Sequence, residues 1–228
     1  IIDKKTYELD TDGSLKGYTP KKKSSKKKSS GKSDTSDKSG TSTAKKSVAL
    51  TFDDGPSSFT DRLLDCLEEN NAKATFFMVG TEIASFPDEV KRMKKLGCEL
   101  GNHTYDHKDL ATLSSDEISS EIARVDEQLV NLTGEGASVV RPPYGSVNDT
   151  VKSTVGTPMI LWSIDTLDWK TQDVESTVEE VMNNVKDGSI ILMHDIFSTS
   201  VDAAEILIPQ LIEEGYQLEI GRASCRER

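Results

Sequence analysis

The segment SVALTFDDGPS, residues 47–57, decides the interpretation of the chain, because a run of strand-forming residues ends there in two adjacent aspartates, Asp53 and Asp54. Asp, Gly and Pro favour turns, so the segment taken alone is equally consistent with a simple turn after a strand. Adjacent carboxylates can also perform two tasks at a metal site, where one binds the ion and the other stays free to take a proton from metal-bound water. The rest of the chain distinguishes these two interpretations.

The composition indicates a globular protein. The 228 residues are enough for one large domain or two small ones, with 35% hydrophobic and 29% charged residues. No apolar run approaches the roughly 20 residues of a membrane-spanning helix, so we predict no transmembrane segment. The three cysteines, Cys66, Cys98 and Cys225, lack C-x-x-C spacing, which argues against a disulfide framework or a cysteine-type zinc site.

Charge divides the chain into segments. Residues 1–18 are interpreted as the end of a truncated upstream segment, and residues 19–46 as a disordered linker rich in Lys, Ser, Gly and Thr. The linker has ten Lys against two Asp, a net charge of +8, so a nucleic-acid-binding tail or a contact with an anionic cell wall are its alternative interpretations. Residues 47–218 have 12 Lys and Arg against 31 Asp and Glu, a net charge of −19, which argues against nucleic acid as a partner. The last segment, EIGRASCRER at 219–228, breaks the preceding pattern and resembles translated sequencing-adapter DNA, so we interpret it as a non-native tail.

Short apolar runs alternate with amphipathic segments throughout 47–218. The apolar runs predict strands at 48–52, 74–79, 97–102, 138–141, 159–164, 189–194 and from 216. The amphipathic patterns predict helices near 59–70, 82–96, 115–132, 147–154, 175–187 and 201–214. This alternation predicts βα units around a parallel sheet, and seven strands predict an α/β barrel.

The helix at 115–132 has the clearest periodicity. Its apolar residues recur at spacings of 4, 3 and 4, which places them on one face: Ile118, Ile122, Val125 and Leu129. Ser114 or Ser115 is expected to cap its N-terminus.

Titratable and aromatic residues follow five of the predicted strands. They are Asp53 and Asp54; His103 and His107; Arg141 and Tyr144; Asp165, Asp168 and Trp169; and His194 and Asp195. Active sites of parallel βα architectures collect at the carboxyl ends of the strands, so these residues predict one shared site. All three histidines of the chain fall in this set. An H-x-x-x-H pair with a carboxylate from another strand is typical of a metal site that has open positions.

These strand ends carry five ordered motifs: TFDDG (51–55), HTYDH (103–107), RPPY (141–144), DTLDW (165–169) and LMH (192–194). On these motifs the chain resembles the polysaccharide deacetylase family, carbohydrate esterase family four or NodB homology domain, over about 47–218. It looks most like the peptidoglycan N-acetylglucosamine deacetylases of Gram-positive bacteria. The resemblance implies a distorted (β/α)7 barrel and an extracellular or cell-surface location.

The resemblance also implies a metal centre and an acid–base pair. Asp54, His103 and His107 would bind a divalent metal ion, with Zn²⁺ expected first and Co²⁺ or another divalent ion as alternatives. Asp53 would be the general base and His194 the general acid.

Further roles carry over from the same motifs. Arg141 would pair with a catalytic carboxylate, and Asp165 would orient either His194 or Arg141. The backbone N–H of Tyr144 would stabilise the oxyanion. Trp169 and Leu192 would line an apolar groove for the acetyl methyl group.

One position departs from the family pattern. Lys108 stands where a proline is frequent, which predicts a less rigid loop after His107 without the loss of a ligand.

The expected function is a metal-dependent hydrolase that removes N-acetyl groups from N-acetylglucosamine in peptidoglycan and releases acetate. The same mechanism on chitooligosaccharides, or on acetylxylan as an esterase, is one alternative. A non-catalytic cell-wall-binding module is another, although such a module needs no paired aspartates. The expected partner is a carbohydrate polymer, and the protein is expected to be a monomer.

Overall fold

The computed structural model describes residues 46–221 of the chain. The predicted upstream segment 1–18 lies outside these residues, as do the predicted linker apart from Lys46 and the predicted tail apart from residues 219–221. None of the helices in the described range is both long enough and apolar enough to span a membrane. Cys66 and Cys98 are free thiols.

Between residues 46 and 221 the chain forms seven strands and eight α-helices. The strands are β1 (Lys46–Asp53), β2 (Thr75–Met78), β3 (Glu99–Asn102), β4 (Val139–Val140), β5 (Ile164–Asp165), β6 (Ser189–His194) and β7 (Tyr216–Leu218). The helices are α1 (Thr60–Glu69), α2 (Gly80–Ile83), α3 (Pro87–Leu96), α4 (Ser115–Thr133), α5 (Asp149–Thr154), α6 (Asp168–Thr171), α7 (Val174–Asn184) and α8 (Ser198–Glu213).

The strands form one parallel sheet in the order β4-β3-β2-β1-β6-β5. The last strand, β7, pairs in parallel with the first three residues of β1, before β1 reaches its pairing with β2. This is the expected α/β architecture, a distorted barrel of seven strands with helices between them. The first residue of the predicted tail continues the β7 pairing, because Glu219 N–H donates to the Val48 carbonyl at 2.9 Å.

The fifth strand is much shorter than predicted. Only Ile164–Asp165 forms the strand, and the stretch before it meets β4 through a single bridge between Val140 and Met159. The physical cause is Arg141, whose guanidinium takes the carbonyls of Ile160 (3.0 Å) and Leu161 (3.1 Å) as acceptors. These carbonyls therefore bind a side chain of the barrel interior rather than a neighbouring strand.

The predicted helix at 82–96 is two helices. Pro87 occupies the first turn of α3, where its missing N–H costs nothing, but within a longer helix it would remove a hydrogen bond. The single turn of α6 was not predicted, because four residues are too few for a helical periodicity to be recognised.

Helix α4 confirms the prediction from its periodicity. Ser114 caps it in a capping box with Glu117, and Gly134 ends it in a left-handed conformation (φ 82°). Ile118, Val125 and Leu129 are buried as expected, whereas Ile122 is only partly buried. The same face buries an acidic residue, Glu121.

Strand β1 separates the helix-facing core from the barrel interior. Val48, Leu50 and Phe52 belong to the main hydrophobic cluster, together with leucines of α1 and α8. Thr51 and Asp53 alternate with them and therefore point to the opposite side of the sheet, towards Arg141. One face of this strand therefore contributes to the hydrophobic core, and the other contributes polar side chains to the barrel interior.

A matched pair of substitutions on α4 tests this packing. Val125 is fully buried in the main cluster, whereas Val130 is 48% exposed on the same helix. Val125→Ala is expected to lower the free energy of unfolding by roughly 2 kcal/mol, since it removes two buried methyl groups and leaves a cavity. Val130→Ala is expected to change it by less than about 0.5 kcal/mol. Urea denaturation of the two variants checks this, and equal effects would contradict the orientation of α4.

Candidate active site

The strand register brings residues of distant motifs side by side. Asp53 and His194 are direct Cα partners in the parallel pairing of β1 with β6. Asn102, the residue before His103, pairs in the same way with Val140, the residue before Arg141. Because all these strands are parallel, the residues that follow them gather at one edge of the sheet, as predicted.

Arg141 is fully buried and organises the interior of this edge. Its guanidinium donates to Asp53 Oδ1 at 2.6 Å and to Thr51 Oγ1 at 2.8 Å, besides the two carbonyls of the 160–161 segment. It also lies 4.0 Å from the centre of the Phe77 ring. A buried charge is tolerated only when it is paired and its donors have acceptors, and Arg141 meets both conditions. The ion pair leaves Asp53 Oδ2 on the other side of the carboxylate, 3.6 Å from His103 Nε2.

Asp54, His103 and His107 form a cluster with the geometry of a metal site. One ligand atom of each residue lies within 4.8 Å of the others. Asp54 Oδ1 is 3.5 Å from His103 Nε2 and 3.2 Å from His107 Nε2. Two ligand atoms of a tetrahedral zinc site, with bonds of about 2.0–2.1 Å, lie roughly 3.3 Å apart. The spacing of these atoms therefore fits a single ion.

The hydrogen bonds around the cluster support the same assignment. His103 Nδ1 lies 2.6 Å from the Arg141 carbonyl, which only accepts, so Nδ1 carries the proton and Nε2 keeps a lone pair directed at Asp54. Asp54 Oδ1 is buried and has no hydrogen-bond partner of good geometry in residues 46–221. A buried carboxylate oxygen without a donor is the group that a cation would complete.

The directions of the pKa shifts of Asp54 and His103 also favour the protonation states that bind a metal ion. Burial acts to raise the pKa of Asp54, but the neighbouring His107 and His103 side chains outweigh it and lower that pKa. Burial lowers the pKa of His103 despite the carboxylates of Asp53 and Asp54. An ionised carboxylate and a neutral imidazole are the forms that bind metal ions.

The carboxylate that contacts His194 is that of Asp168, whereas Asp165 was expected to orient either His194 or Arg141. Asp168 Oδ1 lies 2.8 Å from His194 Nδ1, and Asp168 Oδ2 accepts the His194 backbone N–H at 2.8 Å. Burial acts to lower the pKa of His194, but the contact with Asp168 outweighs it and raises that pKa. Asp165 instead accepts the backbone N–H of Leu167 at 3.0 Å and lines a separate polar cleft with Glu180 and Lys186.

The motif DTLDW contains both aspartates, three residues apart, and the sequence analysis gave Asp165 one of two partners, His194 or Arg141, but gave Asp168 no contact. The helical turn that begins at Asp168 directs its carboxylate to β6, and the residue before it, Leu167, has a left-handed backbone (φ 55°). The four-residue turn is too short to show a helical periodicity. The one feature of the sequence that could have indicated the contact with His194 was the second Asp of the motif, Asp168.

Left-handed backbone conformations are concentrated at the site. Of the non-glycine residues with positive φ in the described range, the following belong to the motif segments: Asp54, Thr104, His107, Tyr144 and Leu167. Such conformations are unfavourable for residues with a Cβ atom, and they persist where surrounding contacts determine them. The contacts of these loops are therefore part of the site.

The loop after Asp54 rests on Asp195. A Cβ atom on Gly55 would lie 2.1 Å from Asp195 Oδ1, so only glycine fits there. Asp195 also accepts from Thr60 Oγ1 at 2.5 Å, and its carbonyl accepts from Ser57 Oγ at 2.6 Å. Burial raises the pKa of Asp195 to about 7. This carboxyl joins the end of β6 to the loop that carries Asp54.

The expected substrate-contacting residues differ in exposure. The Tyr144 side chain is 70% exposed, and its ring packs edge-on against His107 with 4.9 Å between centroids. Trp169 is 48% exposed, whereas Leu192 is buried within β6. His107 and Asp54 also line a cleft of about 580 Å³, together with Phe59 and Phe86.

Comparisons with known proteins agree with this geometry. The family model described as polysaccharide deacetylase matches residues 40–157. The chain is 41% identical over 175 residues to the peptidoglycan-N-acetylmuramic acid deacetylase PdaC of Bacillus subtilis, covering 76% of this chain and 38% of PdaC. It is 39% identical over 173 residues to the peptidoglycan-N-acetylglucosamine deacetylase PgdA of Listeria monocytogenes, covering 75% and 37%. A solved structure of PdaC superposes with a TM-score of 0.78 at 39% identity, covering 79% of this chain and 90% of that one.

The chain spans less than two fifths of the length of both PdaC and PgdA. The matched range of the family model is nevertheless more than half of the chain, and the PdaC structure superposes on 79% of the chain. The chain belongs to the polysaccharide deacetylase family.

Proposed function

We propose that the chain is a metal-dependent hydrolase that removes N-acetyl groups from N-acetylglucosamine residues of peptidoglycan and releases acetate. One observation carries the proposal: a carboxylate paired with Arg141 lies between the candidate metal ligands and a histidine held by a second carboxylate. A binding module would need none of these three groups together. An extracellular or cell-surface location and a monomeric state stay predictions.

The metal ion would be held by Asp54, His103 and His107. We propose zinc, with Co²⁺ or another divalent ion as alternatives. When bound, the ion would polarise the acetamide carbonyl and make water a stronger acid.

Asp53 would act as the general base. Its Oδ1 is taken by Arg141, so Oδ2 is the oxygen available to accept a proton from the attacking water. Arg141 keeps the carboxylate in one orientation, which a base needs for efficient proton transfer. Because Asp53 and His194 are partners across β1 and β6, the proton acceptor and the proton donor face the same substrate.

His194 would act as the general acid. Its Nδ1 carries the proton shared with Asp168, so Nε2 is the atom that would protonate the leaving amine. The raised pKa of His194 keeps the imidazolium form available at a higher pH than an ordinary histidine would. Asp168 acts here as a positioning residue.

The remaining residues would contact the substrate. We infer that the backbone N–H of Tyr144 donates to the oxyanion; it makes no hydrogen bond to another described residue. Oxyanion donors of this kind are worth roughly 3–4 kcal/mol when removed. Trp169 and Leu192 would line the groove for the acetyl methyl group, with the exposed Trp169 ring as its outer wall.

A second sugar is a specific alternative. The relative PdaC is named for N-acetylmuramic acid, whereas PgdA is named for N-acetylglucosamine, and both are similar to this chain to nearly the same degree. An activity on acetylxylan is the third candidate, since a bifunctional xylanase/deacetylase of Pseudobutyrivibrio xylanivorans is 40% identical over 178 residues, covering 77% of this chain and 29% of that protein.

Acetate release tests the proposal. The full chain is incubated with peptidoglycan and with acetylated xylan, with added zinc and with a chelator, and mass spectrometry identifies which sugar has lost its acetyl group. The expected result is chelator-sensitive acetate from peptidoglycan, with the loss on N-acetylglucosamine. Loss on N-acetylmuramic acid, or release mainly from xylan, would move the proposal to that substrate. No release by the folded, zinc-treated protein would contradict hydrolysis.

The role of Asp168 predicts a pH effect. In Asp168→Asn the carboxylate no longer stabilises protonated His194, so the pKa of His194 falls and its acid form is lost at a lower pH. The alkaline limb of the kcat profile is therefore expected to move to lower pH, with kcat reduced roughly a hundredfold or more. Asp165→Asn, three residues away, is the matched control and is expected to keep the wild-type profile. The assignment is wrong if Asp165→Asn shifts the limb and Asp168→Asn does not.

A further inference from the structure

A buried carboxylate of α4 contacts the loop that carries the second histidine of the metal cluster. Glu121 is 4% exposed, and its Oε2 accepts the backbone N–H groups of both Tyr105 (2.9 Å) and Asp106 (2.8 Å). Its other oxygen, Oε1, accepts from Lys108 Nζ at 2.9 Å. The carboxylate therefore binds the chain on both sides of His107.

This loop needs external contacts to keep its shape. Thr104 (φ 67°) and His107 (φ 53°) both have left-handed backbones, which are unfavourable for residues with a Cβ atom. His103 is fixed by its hydrogen bond to the Arg141 carbonyl, but no described residue makes a comparable bond to His107 Nδ1. Apart from ring contacts with His103 and Tyr144, the position of His107 therefore depends on the backbone around it.

Other contacts hold the same loop from the side of α2. The N–H groups of Gly80 and Thr81 donate to the carbonyls of Thr104 and Tyr105, at 3.0 and 3.1 Å. A Cβ atom on Gly80 would lie 2.4 Å from the Tyr105 ring, so the two backbones approach closely. Glu121 supplies the opposing contacts, and the loop is held between them.

Lys108 completes the arrangement. Its ammonium bonds Asp106 Oδ2 at 3.0 Å as well as Glu121, and Arg124 of α4 covers the Tyr105 ring at 3.3 Å. The residue that predicted a less rigid loop thus joins two carboxylates, one on the loop and one on α4.

We propose that Glu121, together with Lys108, is a positioning residue of the metal site: it holds His107 where its imidazole meets Asp54, and so determines the affinity of the site for the ion. This inference rests on the metal-dependent function proposed above. Neither residue belongs to the five sequence motifs. Groups that orient metal ligands from behind typically contribute 10- to 100-fold to metal affinity.

Two possible roles of Lys108 predict opposite changes in metal affinity when its ammonium group is removed. If the ammonium acted only through its charge, Lys108→Met would remove a repulsive cation near the site and tighten metal binding. If it acts by holding the loop, Lys108→Met weakens binding. The sign of the change therefore separates the two.

The experiment is a zinc titration of the metal-free full chain, with Co²⁺ absorption spectra as a report on coordination and thermal unfolding as a check of the fold. Glu121→Gln and Lys108→Met are compared with Glu127→Gln, an exposed glutamate on the same helix. The dissociation constant for zinc is expected to rise about tenfold in Glu121→Gln and about threefold in Lys108→Met, whose side chain is half exposed, and to stay within about twofold in the control. Acetate release by both variants should recover at saturating zinc.

Wild-type affinity in folded Glu121→Gln and Lys108→Met would overturn the inference and leave the proposed function intact. Tighter zinc binding by Lys108→Met would also overturn it, in favour of a charge effect. If the wild-type chain itself bound neither zinc nor Co²⁺, the proposed metal dependence would fail, and this inference with it.

Discussion

The ion pair between Arg141 and Asp53 is the constraint on which the rest of the site depends. A fully buried guanidinium must be paired and hydrogen-bonded, and Arg141 finds its acceptors on β1 and on the segment before β5. Its backbone carbonyl at the same time fixes the ring of His103. One residue therefore sets the orientation of the proposed base and the tautomer of a proposed ligand, and it also prevents residues 160–161 from continuing a regular strand.

The two adjacent aspartates at the end of β1 are thereby directed to different partners. Asp53 keeps the extended backbone of the strand and points into the barrel, whereas Asp54 has a left-handed backbone (φ 71°) and points to the histidines. Gly55 and Asp195 hold the loop immediately beyond. The change of conformation between neighbouring residues allows one strand end to supply two carboxylates to one site, with only Asp53 paired to Arg141 and only Asp54 in contact with His107.

Much of this was predictable from local patterns. Strand-helix alternation gave the parallel sheet, and parallel strands bring Asp53, Asp54, His103, Arg141 and His194 to one edge whatever the details of the loops. Contacts that depend on side-chain direction were not predictable. Asp168 contacts His194 because one turn of helix directs its carboxylate towards β6. Glu121 lies on the buried face of α4, which the sequence pattern predicts to be apolar. The 159–164 stretch is apolar and strand-like, but the carbonyls of Ile160 and Leu161 accept from the Arg141 side chain instead of from a neighbouring strand.

Asp53 and Asp54 are proposed to have separate tasks, and zinc binding measured beside turnover in Asp53→Asn and Asp54→Asn distinguishes these tasks. Asparagine keeps the shape of each side chain, which matters because Asp53 is the partner of a buried charge, and thermal unfolding shows that each variant is folded. Asp53→Asn is expected to bind zinc with nearly wild-type affinity and to release no acetate, whereas Asp54→Asn is expected to lose zinc affinity. Loss of zinc by Asp53→Asn together with retention by Asp54→Asn would contradict this assignment of tasks.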